Sequence, residues 1–186
     1  MVHSSISKII SMPFYQQIND YYCGLAATQM ALATRGVNVS QSTLASDTWL
    51  ETDKYKGTVG RYIKYTLNNL LGTTWYSYKE VNKEDADLLE YRVKLNIDRG
   101  YAPVIAVYQT GKDEHKDKVL NGHTYHYLRH FVTIYGYDLG YENGIRGILY
   151  KDPIAGYSGR FKDVQPSNWI STSLLAFLIW GGSITY

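Results

Sequence analysis

A change of hydrophobic period near residue 100 constrains this chain more than any other feature. Upstream of it, apolar residues recur at helical spacing. Leu25, Ala26, Ala27, Met30, Ala31 and Leu32 form a stripe ended by Arg35-Gly36; Ile63, Leu67 and Leu70 lead to Gly72; Leu88, Leu89 and Leu95 lead to Gly100. Downstream, runs rich in β-branched and aromatic residues at 102–108, 130–137 and 145–151 alternate with polar stretches, the pattern of strands. Helices followed by antiparallel strands predict an α+β fold. With no repeat, linker or low-complexity tract, 1–186 reads as one domain with its core at about 12–180.

Local signals place the boundaries. Ser40 is expected to cap a short helix through Leu44 and Trp49, Thr58 to cap the helix carrying Ile63, and Asn82 with Asp85 to form a capping pair for the helix ending at Gly100. Residues 73–78 read as a short strand, 160–164 as another and 166–174 as the start of a helix, while the final stretch suits either state.

The chain holds one cysteine, Cys23, at the start of the first helix. With no second cysteine there is no internal disulfide, and at 186 residues and 45% apolar content none is needed to build a core. A free cysteine is often a small buried hydrophobe. A helix N-terminus, however, favours thiolate over thiol, so a base elsewhere would make Cys23 a nucleophile. A net charge of +2 without a basic stripe argues against a nucleic-acid partner. The longest apolar run, Leu174 to Trp180, is far shorter than the roughly 20 residues that span a bilayer. No signal peptide is visible in 1–12. The 19 tyrosines among many Thr, Ser and Asn have the texture of an exported bacterial protein, so a secreted or cell-surface location is expected.

The strand pair flanking 138–144 supplies the base. A hairpin centred on Tyr141 puts His130 directly opposite Asp152, with Val132, Ile134, Ile148 and Tyr150 on the same face. A carboxylate that holds an imidazole fixes its tautomer and stabilises the imidazolium formed when it takes a thiol proton. His126 is the alternative base, and His3, His115 and His123 read as solvated loop residues. His126 and His130 have i, i+4 spacing but lie in a loop and a strand, and no second cysteine or glutamate completes a zinc signature, so neither metal nor cofactor is expected.

Three segments carry a family resemblance: Met12-Pro13-Phe14-Tyr15-Gln16-Gln17 leading to Tyr22-Cys23-Gly24, the run from His130 through Gly136-Tyr137-Asp138, and Tyr150-Lys151-Asp152-Pro153. In order and spacing they resemble the papain-like cysteine peptidases, most closely the bacteriocin-processing peptidases and their stand-alone relatives. The resemblance implies Cys23 as nucleophile, His130 as general base and acid, Asp152 as orienting residue, and Gln17 as oxyanion donor together with the Cys23 backbone N–H. It implies a peptide or protein substrate and hydrolysis of peptide or amide bonds. Leu25 stands where many stand-alone members have proline, and Tyr22 where leader-processing enzymes usually have an acid, so double-glycine specificity does not carry over. The same fold hosts transglutaminase-like and acyl-transfer enzymes and inactive relatives that bind peptides or glycans; these are the alternative readings.

Overall fold

The computed structural model describes residues 7–46, 50, 52–53, 57–81, 85–124, 126–140, 146–179 and 182–185. In chain order the elements are β1 (Ser7–Ile9), α1 (Cys23–Ala33), α2 (Gln41–Ser46), β2 (Thr52–Asp53), β3 (Gly57–Thr58), α3 (Gly60–Leu71), β4 (Tyr78–Val81), α4 (Ala86–Asp98), β5 (Val104–Thr110), β6 (Tyr127–Asp138), β7 (Gly147–Lys151), β8 (Ser167–Ser171), α5 (Thr172–Leu178) and β9 (Gly182–Thr185). The main sheet runs β4-β9-β5-β6-β7-β8, with β1 pairing the far end of β6, and its neighbours are antiparallel. This is the α+β arrangement expected from the change of period.

Among the described residues, two large apolar clusters and a small third one around Ile154 and Phe161 form the core. One of the large clusters gathers α1, α3 and the start of β5 around Leu25, Met30, Leu32, Ile63 and Leu67; the other packs α4 and α5 against Ile105, Val132, Ile134, Ile148 and Tyr150. Helix α1 is buried on every side, as a helix with apolar and small residues all round its circumference must be. Its alanines admit a close approach to β6, where the Thr133 hydroxyl donates to Ala27 O at 2.9 Å. That bond fixes the cysteine-bearing helix to the strand that carries His130.

Several boundaries agree with the local signals. Ser40 Oγ accepts from Thr43 N at the start of α2, Gly72 closes α3 in the left-handed conformation, and Asp85 accepts from Leu88 N at the start of α4. Such a cap stabilises a helix by about 0.5–2 kcal/mol. Asn82, its expected companion, and Trp49 lie outside the described residues. Other expectations need correction. Thr58 belongs to β3 and caps nothing; α3 starts from Val59 without a side-chain cap. Residues 73–77 form no strand, because Asn68 binds both Tyr76 N and Tyr76 O and Thr73 Oγ1 accepts from Trp75 N, taking up backbone groups that a ladder would use. The 160–164 segment overlaps a 3-10 turn, Gly159–Phe161, and the helix expected to start within 166–174 is preceded by strand β8 at Ser167–Ser171, α5 beginning only at Thr172. The ambiguous tail is helix followed by strand, with β9 entering the sheet between β4 and β5.

The expected hairpin register also needs correction. The loop centre expected at Tyr141 lies outside the described residues; at the end of β6 Tyr137 faces Ile148 and Asp138 faces Gly147, and beyond an irregularity between Ile134 and Gly136, Ile134 faces Tyr150 and Thr133 faces Lys151. Extrapolated past Lys151, this register sets Asp152 beside Val132, two residues from His130, so the pair meets diagonally. Tyr135 is the extra residue of a β-bulge, and its carbonyl is taken by Ile10 N at 2.8 Å, beside β1. Without the bulge the register would be one residue different, and Asp152 would fall on the face opposite His130.

Candidate active site

The first turn of α1 sits at the edge of a cleft of about 300 Å³ lined by Cys23, Gly57, Thr58, Tyr78, Tyr108 and His130 among others. Cys23 is the first residue of the helix, and Tyr22 before it contributes no side-chain cap. The N–H groups of Cys23, Gly24 and Leu25 have no backbone acceptor one helical turn back, unlike that of Ala26, which donates to Tyr22 O at 2.9 Å, and they concentrate partial positive charge beside the sulfur. The next residue, Gly24, lies against the β2–β3 ribbon: a Cβ there would come within 2.5 Å of Thr58 Cβ. Glycine is what lets the ribbon form a wall of the cleft.

His130 projects from β6 and is 3% exposed, with Nε2 2.7 Å from Asp152 Oδ1. Cys23 lies close enough to act on the ring, and since Nε2 is engaged by the carboxylate, Nδ1 is the nitrogen left for the thiol. Burial opposes a charge on His130, but the attraction of Asp152 and its hydrogen bond, with smaller contributions from Cys23, outweigh it and push the pKa up to about 10. Asp152 is fully buried just past the end of β7. Burial alone would raise its pKa; attraction to His130 and bonds from His123 and His130 hold it well below the ordinary carboxylate range. Oδ1 accepts in addition from Ile154 N at 3.1 Å.

Gln17 is buried on the strand-free segment before α1. Its backbone N–H donates to Pro153 O at 2.8 Å, so the segment carrying it is tied to the residue after Asp152. Its side-chain Nε2 donates to Asn19 O at 2.7 Å, which uses one of the two amide hydrogens and leaves the other on the same nitrogen. Gln16 does different work: Nε2 binds Ala155 O at 2.7 Å, and its own carbonyl accepts from Gln41 Nε2 at 2.8 Å. The structure thus brings the hydrogen-bonded His130–Asp152 pair beside Cys23 in one cleft, with Gln17 on an adjoining strap.

The other histidines divide. His126 makes its bond to Thr124 Oγ1 at 3.1 Å, and burial followed by Arg160 lowers its pKa. His115 is half-buried, bonded to Thr110 Oγ1 and edge-on to Phe177. His3 lies outside the described residues. The reading of His123 as a solvated loop residue is wrong: it is 7% exposed, with Nε2 2.8 Å from Asp152 Oδ2. The local sequence Asn121-Gly122-His123 looks like a turn, and the burial comes from contacts made far along the chain. The signal available was Val119-Leu120, an apolar pair in an otherwise polar stretch. Among the described residues no group of three or more His, Cys, Asp or Glu side chains is placed to hold a metal ion, and no helix is long and apolar enough to cross a membrane.

Comparison with solved structures places the fold. The peptidase domain of Streptococcus ComA, a bifunctional ABC transporter involved in quorum sensing, aligns over 94% of this chain and 96% of its own, at 19% identity and TM-score 0.55. A double-glycine-motif protease from an AMS/PCAT transporter, solved with its leader peptide, aligns over 95% and 91% at 13% identity and TM-score 0.54. A Carica candamarcensis cysteine protease in complex with E-64 aligns over 96% of both chains at 13% identity and TM-score 0.55. The fold is therefore that of the papain-like cysteine peptidases. Within that class the chain belongs to the Peptidase_C39-like family, whose sequence model matches residues 9–175. No curated protein matches it by sequence.

Proposed function

We propose that the chain, acting as a single domain, is a thiol peptidase that cleaves peptide bonds in extended segments, with Cys23 as nucleophile. The observation that carries this reading is the buried His130–Asp152 pair set beside Cys23 in a cleft at a helix N-terminus without a side-chain cap. The raised pKa of His130 favours an imidazolium beside a thiolate near neutral pH. The Cys23 sulfur attacks the scissile carbonyl carbon, and the oxyanion that forms is held by the Cys23 N–H and the free amide hydrogen of Gln17. His130 gives its proton to the amine as the C–N bond breaks, then takes one from water as hydroxide displaces the thiolate from the acyl-enzyme. Asp152 keeps the ring in the required tautomer throughout.

A peptide substrate is also in keeping with the leader peptide bound to the AMS/PCAT relative. The test is digestion of a library of unstructured peptides at pH 6–7 with products read by mass spectrometry. Wild type is expected to cleave and Cys23→Ala to be inert. Cleavage that survives in Cys23→Ala would overturn the assignment. A second reading, an inactive peptide- or glycan-binding cleft, draws on the Tyr78 and Tyr108 rings in the wall; it predicts retained peptides with no cleavage.

A further inference from the structure

His123 occupies the side of Asp152 remote from His130, and the surroundings hold it there with unusual thoroughness. Its backbone N–H donates to Leu120 O at 3.0 Å, and Leu120 is fully buried with its own N–H on the side chain of buried Gln109 at 2.8 Å. Asn121 N donates to the Tyr150 hydroxyl at 3.2 Å, and Asn121 Nδ2 donates to Trp169 O. Gly122 has φ +77°, and a Cβ there would sit 2.5 Å from Asp163 O. Contacts from β5, β7, β8 and the 163–164 loop therefore converge on a three-residue turn whose exposed neighbours, Asn121 and Gly122, bury little themselves.

We infer that His123 is a positioning residue of the catalytic centre, acting through Asp152; the inference rests on the thiol-peptidase reading above. An ionised carboxylate only accepts, so the 2.8 Å contact requires the His123 proton on Nε2. With it, Asp152 receives His123 Nε2 on Oδ2 and His130 Nε2 and Ile154 N on Oδ1. These bonds set both the position of the carboxylate and its rotation about χ2. Remove the Oδ2 donor and a buried oxygen loses its partner, which costs free energy and lets the carboxylate turn away from the His130 axis. A displacement near 1 Å in a supporting group can reduce turnover by roughly 10²-fold. The titratable groups facing this centre are His123 and His130 on Asp152, Cys23 on His130, the buried Tyr150 hydroxyl, and His126 with Arg160 behind His123.

The experiment compares wild type, His123→Phe and His123→Gln, the last retaining an N–H donor at about the place of Nε2. Two readouts are taken: iodoacetamide labelling of Cys23 from pH 4 to 10, which needs no substrate, and kcat with KM on any cleaved peptide. His123→Phe is expected to lower kcat roughly 10 to 100-fold with KM within about twofold, and to move the acid limb of labelling to higher pH, because Asp152 loses a bond that lowers its pKa. His123→Gln is expected to recover most of both. Wild-type behaviour in His123→Phe, or a folded His123→Gln as impaired as His123→Phe, overturns the inference. Should His123→Phe not fold, proton NMR of ¹⁵N-histidine-labelled wild type decides: two hydrogen-bonded Nε2–H resonances are expected, one from each ring, and detection of the His130 resonance alone overturns it. An ordinary thiol in wild type would instead sink the peptidase reading, which keeps the two failures distinct.

Discussion

Replacing Gly24 by alanine tests how the cleft is built. An added Cβ would lie 2.5 Å from Thr58 Cβ, 2.6 Å from Oγ1 and 2.9 Å from Cγ2. Ordinary carbon–carbon contacts settle at about 3.5–4.0 Å, so the two backbones must separate by about 1 Å. Thr58 cannot swing aside to relieve this, because the nearest atom is its Cβ, and its hydroxyl is bonded to Thr52 Oγ1 at 3.1 Å across the ribbon. Overpacking of this kind costs about 1–3 kcal/mol, offset by up to about 1 kcal/mol from alanine's better helix propensity. A net loss of about 1–2 kcal/mol corresponds to roughly 2–8 °C in Tm for a chain of this size. Thermal unfolding followed by circular dichroism measures it. The double variant with Thr58→Gly should regain most of the loss, whereas Thr58→Ala, which keeps Cβ, should regain little. A Gly24→Ala protein as stable as wild type, or an additive double variant, would refute the reasoning.

Three further outcomes are expected. Gln17→Ala should lower kcat by roughly 10²–10³ while leaving Cys23 labelling intact, whereas Gln16→Ala, which loses the bond to Ala155 O, should lower stability by about 0.5–1.5 kcal/mol with kcat retained; steady-state kinetics with melting curves separates them. His130→Ala should abolish turnover and His126→Ala should leave most of it, since His126 is bonded to Thr124; the reverse result would transfer the base to His126. Asp152, with its folded pKa depressed, contributes stability that is present above about pH 4 and lost as pH falls through the folded value. His130, with its pKa raised, contributes stability present below about pH 6.5 and lost as pH rises toward about 10. Denaturant unfolding across pH should therefore show wild type losing its advantage over His130→Gln between pH 6.5 and 10; a constant difference would contradict the ion pair.

How far the sequence could be read depended on whether the determining contact was local. The helix through Leu25 and Leu32, the cap at Asp85 and the closing glycines 72 and 100 are set by neighbours a few residues away, and these were legible. The diagonal meeting of His130 and Asp152 was legible only in its face. Its register depends on the Tyr135 bulge, whose carbonyl is taken by Ile10 more than a hundred residues upstream. His123 is hidden for the same reason: Tyr150, Trp169 and the 163–164 loop pin an exposed turn, Asn121-Gly122, so that its histidine is carried inside. Residues 73–77 carry strand-like composition, yet the Asn68 side chain takes both backbone groups of Tyr76 and Thr73 Oγ1 takes Trp75 N, which keeps them out of the sheet.

The central claim is that Cys23 is ionised by His130. The pH dependence of iodoacetamide labelling, in wild type and His130→Ala, tests it most directly. Fast labelling at pH 6 is expected in wild type, and slow labelling at that pH, rising only toward the ordinary thiol midpoint of about 8.5, in His130→Ala. Labelling with that ordinary midpoint in both proteins would contradict it.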